Sequence, residues 1–129
     1  MQCLEQNAAV LGLFAPRCRI VQEDVLRLLM RRGRRGQTES AERFDVVFMD
    51  PPYGMRLAPA ALLALARGEW LAPEAFVLAE VESQARIDEA AHEGLACIGR
   101  REYGQTRIIL WQARQGNTDC GVTTCIRTV

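Results

Sequence analysis

The chain has 129 residues, 49% of them apolar and 25% charged, which suits one compact domain with a real core. Sixteen basic residues, all arginine, balance sixteen acidic ones, so any binding to a polyanion must rest on a local patch. No apolar run approaches the ~20 residues that cross a bilayer, and Met1 to Asn7 carry neither a basic nor an apolar leader, so a soluble, cytoplasmic protein is expected.

From the first residue, Leu4, Ala8, Leu11 and Leu13 recur near helical spacing, and Pro16 stops a helix before it. Arg19 to Glu23 (RIVQE) reads as a short strand closed by Asp24. Val25 to Arg32 follows as a helix with Val25, Leu28 and Leu29 inward, ended by Gly33. Gly33 to Glu42 is polar and glycine-rich, a surface loop. Phe44 to Met49 (FDVVFM) is a nearly continuous apolar run of the kind found in a central parallel strand covered on both faces.

Asp50-Pro51-Pro52-Tyr53-Gly54 must then leave the sheet, because two consecutive prolines cannot continue a ladder. Ala58 to Arg67 reads as a helix stopped by Gly68, Ala75 to Val81 as an apolar strand, and Gln84 to His92 as a weaker helix. Leu95 to Tyr103 and Thr106 to Ala113 are two strands joined by Gly104-Gln105, a loop that suits a type II′ antiparallel hairpin. Gln115 to Val129 is small, polar and aperiodic, a frayed tail, leaving residues 1–114 as the domain. The order describes an α/β sheet of three parallel strands closed by one antiparallel hairpin.

Cys3, Cys18, Cys97, Cys120 and Cys125 form an odd set without CxxC spacing, and His92 is the one histidine, so neither a disulfide framework nor a metal site is expected. Arg31, Arg32, Arg34 and Arg35 form the one basic cluster, either a solvated helix end or a contact to RNA phosphate.

An α/β sheet of this kind binds ligands at the C-terminal ends of its parallel strands, and Asp50-Pro51-Pro52-Tyr53 lies there. An exocyclic amine on a base is a poor nucleophile, because its lone pair is delocalised into the ring. The Asp50 carboxylate and the Pro51 carbonyl can accept its N–H groups and steer the lone pair toward a methyl donor. Tyr53 offers a face on which an extruded base can stack, worth about 1–3 kcal/mol. The alternative is a proline turn that caps the strand, with Tyr53 packed over the sheet edge.

FDVVFMDPPYG, with LEQNAAVLGL upstream and REYGQTRIIL downstream, resembles the RsmD family of 16S rRNA guanine-N2 methyltransferases over Leu4 to about Arg114. The resemblance implies a partial Rossmann-like class I methyltransferase sheet, S-adenosyl-L-methionine as cofactor, and 16S ribosomal RNA or a small-subunit precursor as partner. By the same resemblance Asp50, Pro51, Pro52 and Tyr53 form the substrate amine site, and Asp24 and Asp50 touch the cofactor. Asp24 is equally readable as the N-cap of the helix that follows it. Glu80 matches a position where the family often has an acidic residue, without an assigned role.

The pattern departs from the family in lacking the first βαβ unit, which carries the glycine-rich turn and an acid for the cofactor ribose. Either Met1 is an internal methionine of a longer, monomeric enzyme, or the chain is a true truncation with an incomplete cofactor pocket. A non-catalytic fragment with the inherited fold, and a DNA amino methyltransferase, are the alternative functions.

Overall fold

The structure, a computed structural model, describes residues 2–13, 18–31, 42–54, 56–88 and 94–114. Outside them lie His92, Cys120, Cys125, Pro16, the loop from Gly33 to Ala41, the Gln115–Val129 tail, and Arg32, Arg34 and Arg35 of the basic cluster.

Helix α1 (Gln2–Val10) ends before the proline expected to stop it. Gly12, at φ 68, lets the Leu13 N–H reach the Ala8 carbonyl at 2.8 Å and its own N–H reach Ala9 at 3.0 Å. This is a Schellman termination, for which glycine is suited because it carries no Cβ penalty at positive φ. The apolar spacing does not translate into burial: no residue of α1 is buried, and Leu4, Leu11 and Leu13 are exposed.

Residues 18–24 form no strand, contrary to the reading of Arg19 to Glu23. Ile20 and Val21 favour extended backbone, but a strand needs a ladder partner, and Val21 is 46% exposed with no neighbouring strand among the described residues. Helix α2 (Val25–Arg31) then forms as expected and buries Leu29.

Strand β1 (Phe44–Met49), helix α3 (Leu57–Arg67) and strand β2 (Leu71–Glu82) make a parallel strand pair connected through a helix. Strands β3 (Leu95–Tyr103) and β4 (Thr106–Ala113) form the hairpin, with Gly104 at φ 58 as the type II′ turn requires. The sheet order among the described residues is β1-β2-β4-β3, so two strands are parallel rather than three, and β1 is an edge strand rather than a central one.

Two irregularities adjust the ladders. Between the pairs Phe44↔Leu71 and Val46↔Phe76, β2 carries extra residues that include Pro73 and Glu74, the latter at φ 63. Proline cannot donate to a ladder, so it is accommodated in this bulge. In β3, Ile98 is the extra residue between Cys97↔Trp111 and Gly99↔Leu110.

One face of the sheet forms the core. Val47, Ala75, Val77, Ala79, Val81, Ile109, Trp111 and Ala113 alternate inward and pack with Leu29 of α2 and Ala58, Ala61, Leu62 and Leu65 of α3. The expected stop at Gly68 has a steric cause: a Cβ there would meet Trp70 Cδ1 at 2.6 Å and the Ala64 carbonyl at 2.7 Å. Trp70 is fixed in turn, donating its indole N–H to the Leu29 carbonyl at 3.0 Å and stacking on Phe44.

The described part of the helix expected over Gln84 to His92 is not helical: residues 84–88 form a turn and irregular backbone, and residues 89–93 lie outside the description. The Ala85 N–H turns back to the Glu82 carbonyl at 2.9 Å, and the Ala85 carbonyl accepts the Arg107 guanidinium. These bonds hold Ala85 at the end of the sheet.

Candidate base-binding site

Parallel pairing brings the C-terminal ends of β1 and β2 to the same edge of the sheet, where Asp50 follows one and Ser83 the other. Between the two exits lies a cavity of about 390 Å³. Pro51, Pro52, Tyr53 and Gly54 form one wall, the start of α3 from Arg56 to Pro59 the second, and the end of β2 with its following loop, from Val81 to Ile87, the third.

The start of α3 suits a wall. Pro59 sits in the first helical turn, where its missing N–H is no loss. Arg56 precedes the helix in the left-handed region at φ 49, and Gly54 adopts φ 79, so the chain reverses sharply between strand and helix. Arg56 and Arg86 stand on separate walls and are both exposed.

Tyr53 is 56% exposed, which leaves ring surface available for stacking. Its hydroxyl lies 3.3 Å from Thr106 Oγ1 at the start of β4, so the ring is tied to the sheet and not free in solvent. The next residue of β4, Arg107, holds the third wall through the Ala85 carbonyl. The first two residues of one strand thus hold two walls of the cavity.

Of the sequence-derived site residues, Pro51, Pro52 and Tyr53 line the cavity. Asp50 is exposed just beyond β1 and is not part of the wall. Asp24 caps α2, its Oδ1 accepting the Arg27 N–H at 2.8 Å, which is the N-cap geometry. Glu80 pairs across the sheet with Ile108 and is not part of the cavity wall. Arg31 of the basic cluster is paired with Glu23.

Sequence reasoning missed Arg56, Glu82, Arg86 and Thr106. Glu82 was within reach of the strand-end rule, but ending the strand expected over Ala75 to Val81 one residue early left it outside. The Thr106 contact spans 53 residues and has no local signature.

The family model described as Conserved hypothetical protein 95 matches residues 1–112. The chain is similar to ribosomal RNA small subunit methyltransferase D of Haemophilus influenzae, at 30% identity over 79 residues, 61% of this chain and 38% of the relative. Among solved structures it resembles a Haemophilus influenzae protein assigned as a methylase, with a TM-score of 0.73 and 24% identity over 88% of this chain and 66% of the other. It also resembles an Escherichia coli protein assigned as a methyltransferase, with a TM-score of 0.67 and 23% identity over 89% of this chain and 57% of the other. The chain therefore spans about two fifths of the curated relative and less than two thirds of these structural ones. The structural likeness establishes the fold.

Proposed function

The chain belongs to the Conserved hypothetical protein 95 family, the RsmD family, and from that membership we propose that it forms the base-holding part of an enzyme that methylates the exocyclic N2 amine of a guanine in 16S ribosomal RNA. The observation that carries the reading is the cavity at the end of the parallel strands, walled by Pro51, Pro52 and a tethered Tyr53. A pinned aromatic face beside a proline-fixed carbonyl is what an extruded base with a weakly nucleophilic amine needs.

In this reading the target base stacks on Tyr53, and acceptors at Asp50 and Pro51 hold its amine so that the lone pair points out of the ring plane. When bound, S-adenosylmethionine would supply the methyl group as an electrophilic carbon on a sulfonium. The base amine would itself be the nucleophile and would release its proton to water, so no nucleophilic residue is assigned. The described residues do not form a cradle for the cofactor: Asp24 and Asp50 offer exposed acceptors, and one oxygen of Asp24 is already taken by α2. What this chain supplies is the base side of the site, acting on 16S RNA or a small-subunit precursor.

The test is nucleoside mass spectrometry of small-subunit RNA after incubation with S-adenosylmethionine and the product of the whole reading frame. N2-methylguanosine is the expected product, lost on Tyr53→Ala. Methylation of the amino group of adenine or cytosine in duplex DNA, with this RNA left unmodified, would replace this reading with a DNA amino methyltransferase. Absence of both the product and calorimetric cofactor binding would leave the cavity as part of a non-catalytic fragment.

A further inference from the structure

The wall of the cavity holds one carboxylate among the described residues, that of Glu82 at the end of β2. Glu82 stands directly opposite Thr106 in the antiparallel β2–β4 ladder, so the two side chains leave the same face of the sheet with Cβ atoms about 4.5–5.5 Å apart. Thr106 is the residue whose hydroxyl meets the Tyr53 hydroxyl at 3.3 Å. Tyr53 and Glu82 therefore share Thr106 as a neighbour, and both line the cavity. The Glu82 carboxylate makes no hydrogen bond or ion pair to any described residue.

We propose that Glu82 selects the base, its carboxylate accepting the N1–H and the adjacent N2–H of guanine. The proposal rests on the reading of the cavity as a guanine amine site. An ionised carboxylate is acceptor-only, with two oxygens spaced to take two parallel N–H groups. Guanine is the RNA base that presents two neighbouring donors, N1–H and N2–H, on its Watson–Crick edge. Adenine and cytosine present a ring acceptor beside their amine, which would face a carboxylate oxygen lone pair to lone pair. Uracil presents a single N–H between two carbonyls. Gln84, on the same wall, carries a mixed donor and acceptor amide and cannot make that distinction. With one N2–H taken by Glu82, the one remaining N2–H goes to a single further acceptor, Asp50 or the Pro51 carbonyl.

The test is fluorescence anisotropy with labelled single-stranded RNA heptamers that differ only in the central base, guanine, hypoxanthine or adenine. The wild-type chain is expected to prefer the guanine RNA to the adenine RNA by about tenfold or more, as a good bidentate pair provides. Hypoxanthine, which keeps N1–H and lacks the amine, should fall between. In Glu82→Gln the guanine preference should shrink to within about twofold while thermal unfolding is unchanged, because an amide of the same size replaces one acceptor with a donor. A guanine preference that survives Glu82→Gln overturns this inference and leaves the guanine site standing. RNA binding by the wild-type chain without a preference for guanine overturns both.

Discussion

Helix α1 leaves Leu4 59% and Val10 86% exposed, whereas β4 places Ile109 and Trp111 wholly out of solvent. Both segments form regular backbone. Beyond its first turn the helix bonds its amides to its own carbonyls, closed by the Gly12 turn, and so needs no neighbouring element to be regular. A strand has no such option: β4 is bonded on both edges, to β2 and to β3, and its alternate side chains then fall on one face, where α2 and α3 cover the sheet. Local periodicity therefore predicts an element, and the ladder decides what is buried.

The largest effect should come from the buried side of that comparison. Trp111 is the largest fully buried side chain, and Trp111→Ala removes its contacts and leaves a cavity that β2 and β3 cannot close. A loss of about 3–5 kcal/mol is expected, a large part of the about 5–15 kcal/mol of a typical domain. Urea unfolding followed by Trp70 fluorescence reads it. A loss below about 1 kcal/mol would mean that the sheet is held elsewhere.

The same contrast explains how much was legible in the sequence. The bounds of β1, β3 and β4 were readable because continuous or alternating apolar runs end at residues with local meaning, Asp50-Pro51-Pro52 and Gly104-Gln105. Arg19 to Glu23 failed because strand propensity does not reveal whether a neighbour exists. Gln84 to His92 failed where it is described because the Arg107 guanidinium, 22 residues downstream, takes the Ala85 carbonyl. The beginning of β2 was hidden by Pro73, which reads as a breaker but sits in a bulge. For the site, Pro51 to Tyr53 announced themselves by residue type, whereas Glu82 and Thr106 acquire meaning only once β2 and β4 are paired.

Between the two regions stands α2, a seven-residue helix whose Leu29 reaches the core and whose start is held by Asp24. Asp24→Ala should cost about 1 kcal/mol, the usual loss for an N-cap carboxylate, measured as a lowered thermal midpoint. Asp24→Asn keeps a capping oxygen and should cost a few tenths at most. If the two variants fall together, the charge rather than the cap is what stabilises α2, and the carboxylate is acting on something besides the Arg27 amide.

The smallest effect should come from the turn that closes α1, and it tests the comparison most directly. Leu11 stands just past the helix, 72% exposed, with its N–H bonded to the Asn7 carbonyl at 3.1 Å. Leu11→Ser keeps that backbone bond and removes an apolar side chain that is already largely in water. The change in unfolding free energy should stay within about 0.5 kcal/mol, as for other surface substitutions. Amide exchange should report the same difference without mutation, with α1 exchanging through local opening and β4 only through global unfolding. A loss of about 2 kcal/mol or more in Leu11→Ser would require Leu11 to be covered, because an exposed leucine has little apolar burial to lose. The contrast between helix and sheet would then be one of packing partner, since the self-contained hydrogen bonding of α1 would no longer account for its stability.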